Sequence, residues 1–101
     1  MSTNFTEPYL AYIRSRREAC RQDGQTDHDL MVSEHWRQAS EAIGILRMPV
    51  EQRAGAIFRA GEKRGVSARQ QLENDVRAEW TRRKADPLWK ACEGQPLTIE
   101  A

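Results

Sequence analysis

The sequence contains no apolar run approaching the ~18 residues that a membrane-spanning helix needs, so no membrane span is expected. Its opening residues, MSTNFTEPYL, have neither the basic segment nor the apolar core of a secretory signal, and a cytoplasmic location is expected from that. Cysteine is scarce. In a reducing compartment its two copies, Cys20 and Cys92, are expected as free thiols, and two cysteines alone build no zinc site. Net charge is almost absent, at 16 basic against 15 acidic residues. That balance argues against a polybasic DNA binder and against an acidic DNA mimic, although a local patch remains open.

Catalytic signatures are lacking as well. There is no glycine-rich phosphate loop, no HExxH, and no Cys–His pairing with a motif around it. The carboxylates are spread among arginines rather than gathered on an apolar surface that would raise their pKa values. His28 and His35 stand seven residues apart, two helical turns, whereas helical zinc sites space their ligands by three or four. No metal, no cofactor and no catalytic residue is therefore assigned, and a small enzyme is only the remote reading.

What the sequence does contain is helical periodicity in a length suited to one domain, 1–101, with 1–5 and 95–101 expected as loose tails. Thr6 is placed to cap a first helix, with Glu7 and Pro8 in its opening turn and Tyr9, Ile13 and Cys20 along its face. Asp23-Gly24 supplies the stop. Thr26 or Asp27 begins a second helix whose stripe Val32, Trp36, Ala39, Ile43, Leu46 alternates spacings of four and three, the rhythm of a packed seam. Gly44 thins one side of that helix, which suggests close approach by a neighbouring backbone. Pro49 turns the chain into a third helix with Val50, Ala54, Ile57 and Phe58 inward, ending at Gly65. Ser67 and Gln70 form a candidate capping box for a fourth helix carrying Leu72, Val76 and Trp80 inward. Asp86-Pro87 starts a short terminal helix that Gly94 and Pro96 close. The fold class expected is all-α: a compact bundle of four helices plus a short C-terminal helix, with the second helix as the central element.

Three groups of residues are candidates for function. Arg14, Arg17 and Arg21 share one face of the first helix, with Arg16 beside them, and Arg82, Arg83 and Lys84 form a second basic cluster. Either could meet phosphates or an acidic protein surface, and either could equally be a solvated helix face. Arginine outnumbers lysine thirteen to three. GC-rich coding explains that excess without function, and bidentate anion recognition explains it with one. The segment 61–77 resembles the turn of a helix-turn-helix, with Arg69 and Arg77 on the would-be recognition helix. Gln71 and Asn74 fall where that motif wants apolar residues, and a glycine stop followed by a cap accounts for the same letters. Leu88 and Trp89 are a candidate partner anchor, since tryptophan is favoured at binding hot spots.

The reading that follows is a small non-enzymatic regulatory or accessory protein that binds another protein, or itself as a homodimer, through amphipathic helices. The alternative is a nucleic-acid-associated factor, such as a transcriptional or plasmid/phage accessory protein, using 61–77 or the basic face of helix one.

Overall fold

The computed structural model describes residues 2–92 and 97–100, with side chains over 5–92; Gly94 and Pro96 lie outside the described residues. The fold is an all-α bundle. Among the described residues six helices run in order: α1 (Glu7–Ala19), α2 (Asp27–Met31), α3 (Glu34–Arg47), α4 (Val50–Arg64), α5 (Val66–Lys84) and the short α6 (Pro87–Cys92). The two segments expected as loose tails contain strands β1 (Ser2–Phe5) and β2 (Leu97–Glu100), which pair antiparallel with Ser2 opposite Glu100 and Phe5 opposite Leu97. Among the described residues no helix is long and apolar enough to cross a membrane.

Several boundaries follow from capping chemistry. The Thr6 hydroxyl accepts from Tyr9 N–H at 3.4 Å, opening α1. Thr26 and Asp29 close a reciprocal capping box on α2. Asp86 accepts from Leu88 N–H at 2.9 Å and Pro87 takes the first turn of α6. Gly24, with φ of 82°, makes the left-handed turn after α1.

The expected second helix is in fact two. Ser33 breaks it, because its hydroxyl donates to the Leu30 carbonyl at 2.9 Å and accepts from Trp36 N–H at 3.1 Å. One side chain thus ends α2 and caps α3. Val32 falls in that break and is exposed, so the seam expected from Val32 to Leu46 is buried only in its second half, at Ala42, Ile43, Ile45 and Leu46. Ser67 does not cap its helix either. Gly65, at φ 98°, is the joint between α4 and α5, and the helix resumes at once, leaving Ser67 inside the first turn.

The central element is α5, the longest helix at 19 residues, against which α3, α4 and α6 all pack, while α1 packs on α6. The close approach is found at Gly61 rather than Gly44. A Cβ on Gly61 would lie 2.9 Å from the Cβ of Arg69 across the α4–α5 corner, whereas one on Gly44 would meet nothing within 4 Å. Tyr9, Tyr12 and Cys92 form a core cluster at the α1–α6 contact, with Ile13, Leu88 and Trp89 packed on it. Both cysteines are free and buried, and burial pushes both thiols up.

Candidate functional site

The basic residues singled out in the sequence have diverse fates. Just past the end of α1, Arg21 is committed to Glu18 and to Asp27 at 2.6–2.8 Å and to the Gln25 carbonyl at 2.9 Å, stitching α1 to α2. Arg14 lies 3.9 Å from Glu7, and Arg17 reaches the Met31 sulfur at 3.6 Å. On α5, Arg77 and Arg82 are exposed, but Arg69 is folded over Gly61 in the helix corner with its Nε buried. Lys84 lies over the Trp80 ring at 4.7 Å. Leu88 and Trp89 are partly buried against α1, the Trp89 ring 5.3 Å from Tyr12 and 6.4 Å from Tyr9. That placement gives the pair over to closing the core.

Three charged residues are buried that sequence reasoning passed over or placed outside. Arg16 (5% exposed) and Glu79 (4%) form a bidentate pair joining α1 to α5, with Arg16 Nε donating to Glu79 Oε2 at 3.0 Å and Nη2 to Oε1. The hydrogen bond to Glu79 holds the Arg16 pKa up despite burial. Arg83 (8% exposed) is sandwiched between two tryptophans, its guanidinium carbon 4.5 Å from the Trp80 ring centre and 4.2 Å from that of Trp89. A signal for them was present. Tyr9, Tyr12, Arg16, Cys20 and Leu72, Val76, Glu79, Arg83 both step by three and four, so the charges occupy core register.

Arg83 borders a cavity of about 260 Å³ between α1, α3, α4, α5 and α6. Arg47 and Arg53 line it too, together with Tyr9, Tyr12, Trp89 and the aliphatic Ile43 and Leu46. Arg53 is held in place by donating to the Met48 and Leu46 carbonyls at 3.0 and 2.8 Å, the free end of α3. Arg47 donates to the Tyr9 hydroxyl at 3.3 Å and lies over the Phe5 ring at 4.9 Å. Burial, then the neighbouring Arg53 charge, pushes the Arg83 pKa down. Burial pushes Tyr9 up as well, and Tyr12 to about 12, so both hydroxyls stay protonated.

The second conspicuous feature is α4. Val50, Ala54 and Phe58 were expected inward, yet this 15-residue helix has no buried residue. It leans on α5 and α3 through half-buried Arg53, Ile57, Ala60 and Gly61, and Val50 (72% exposed), Ala54 and Phe58 (54%) form a row at four-residue intervals facing outward. Trp80, also expected inward, is 39% exposed beneath its three cations.

Residues 31–83, more than half of the chain, match the model of a family of unknown function (DUF7696), to which the chain therefore belongs. No curated protein and no solved structure matches it.

Proposed function

We propose that this member of the DUF7696 family is a small, non-enzymatic helical binding protein of regulatory or accessory role, working through the outer row of α4 with a second copy of itself as the partner. The observation that carries the reading is the α4 row: an amphipathic helix whose Val50, Ala54 and Phe58 stay largely exposed in the monomer. Full burial of such a side chain is worth roughly 1.5–3 kcal/mol, and the part of it still open to Val50 and Phe58, about one to two kcal/mol each, matters to a domain of this size. The row suits two-fold pairing. Two antiparallel α4 helices crossing at Ala54 set Val50 of one copy against Phe58 of the other, and the small residue at the axis lets the backbones approach. Nucleic-acid binding is the weaker reading, because Arg21 is spent on carboxylates and Arg69 on the helix corner.

Light scattering coupled to size exclusion over a concentration series tests the proposal. The expected result is a dimer that Phe58→Asp and Val50→Asp each turn into a monomer of unchanged helicity. A wild-type chain that stays monomeric throughout would overturn it.

A further inference from the structure

We propose that the cavity between α1, α3, α4, α5 and α6 is a binding site for a small organic oxyanion, a carboxylate or phosphate monoester carried on a flat apolar body. This site is separate from the α4 row and does not depend on it.

The head-group end is built from arginines that lack counter-charges. Arg47, Arg53 and Arg83 all border the cavity, and none has an ion-pair partner among the described residues. Arg16, Arg21, Arg37 and Arg64 hold carboxylates, while of those that hold none among the described residues Arg59, Arg77 and Arg82 are exposed and Arg17 is half-buried. Exposed arginines can leave their charge to water, but Arg83 is more than nine-tenths buried and has no hydrogen-bond partner among the described residues. Three cations share this cavity, and the acid that acts on Arg83, Glu79, is itself held by Arg16, so the cluster keeps an excess of positive charge that a bound anion relieves. The way Arg83 is held fits that role. Two tryptophan rings lie against its guanidinium, 4.5 and 4.2 Å from its carbon, which restrains the group while its N–H donors stay available to grip an oxyanion. Arg53 is anchored through two of its nitrogens to the end of α3, so it too is pre-set rather than recruited.

The remaining wall sets the body of the ligand. Tyr12, Trp89, Ile43 and Leu46 offer ring faces and aliphatic surface. The volume, about 260 Å³, lies just under the range of roughly 300–1,000 Å³ common for small-molecule pockets, so the fit is to one or two rings.

Isothermal titration calorimetry on the intact chain tests this with 2-naphthoate, 2-naphthyl phosphate, the neutral analogue naphthalene-2-methanol, and inorganic phosphate. Both naphthyl anions are expected to bind, the tighter one naming the head group, and both more tightly than the alcohol or inorganic phosphate. Arg83→Gln should weaken them about tenfold to hundredfold, the worth of one charged hydrogen-bonding group. Arg47→Gln, at an exposed position and checked for wild-type helicity by circular dichroism, should weaken them about tenfold, which keeps the test decisive if the buried variant unfolds. No heat with either anion, equal affinity for the neutral alcohol, or unchanged affinity in folded Arg47→Gln would each overturn the proposal.

Discussion

Replacing Arg16 by methionine removes one half of the buried pair and keeps a straight-chain helix former on α1. The Glu79 carboxylate, 4% exposed, is then left without the two donors that now satisfy it. Stranding a buried charge in this way costs ~3–5 kcal/mol. A domain of this size has a total stability of order 5–15 kcal/mol, so the single variant should be badly destabilised. With a urea slope of about 1 kcal/mol per molar, the unfolding midpoint followed by circular dichroism should fall by roughly 3–5 M. Glu79→Leu should fall too, since it abandons the Arg16 guanidinium. The double variant Arg16→Met with Glu79→Leu should return close to wild type, or exceed it by ~1–4 kcal/mol, because an apolar pair needs no desolvation. The coupling between the two sites is therefore expected to be several kcal/mol and opposite in sign to the single losses. A double variant equal to the sum of the singles, or an Arg16→Met within ~1 kcal/mol of wild type, would show that the pair does not hold α1 to α5.

Two glycines on neighbouring helices should respond in opposite directions to alanine. Gly44→Ala adds a methyl to open space and should stabilise by about 1 kcal/mol, whereas Gly61→Ala presses on the Arg69 Cβ and should lower the melting temperature despite the same gain in helix propensity. Ser33→Ala deletes the cap of α3 and should cost about 1 kcal/mol, a fall of roughly 4–8 °C in Tm for a chain this size. Tyr12 should make the fold sensitive to alkali. Its folded pKa is raised to about 12 from 10.0, so the folded state keeps a proton that the unfolded state gives up. That contribution is complete below pH 10 and is lost as the pH climbs towards 12. Urea titrations across that window should show stability declining, and Tyr12→Phe should flatten the decline.

The local grammar of the fold was readable residue by residue. Thr6, Thr26, Gly24, Pro49 and Asp86-Pro87 mark their boundaries because capping and turn chemistry act over three or four residues of chain. Ser33 was harder, since a serine within an amphipathic stripe reads as a tolerated polar residue until its two hydrogen bonds are seen to split the helix. At Gly65 the positive φ displaced the boundary that Ser67 and Gln70 spell out. The larger errors lie in tertiary placement. A periodic apolar row on α4 says that a face exists, not that the monomer covers it, and Val50, Ala54 and Phe58 were assigned to the core on that account. The converse holds for Arg16, Glu79 and Arg83, whose charge argued for solvent although their spacing matched the buried positions. The cavity could not be read at all, since Arg83 and the aromatic wall reach Arg47 and Arg53 only through packing between helices distant in the chain.

The single-residue joint at Gly65 also has a consequence for how the molecule comes together. With α4 and α5 separated by one residue, and α3 from α4 by Met48 and Pro49, these three helices dock by closing almost no loop. The grip of α1 on α5 through Arg16 and Glu79 must close 63 residues of chain, which is entropically the dearer step. The chain is thus built to assemble from its middle outward, and the early unit coincides with the span that defines the family. The arginines of the cavity belong to that unit and its aromatic wall, Tyr9, Tyr12 and Trp89, does not. The cavity is then the last part of the molecule to exist, and the first to vanish when α1 lets go.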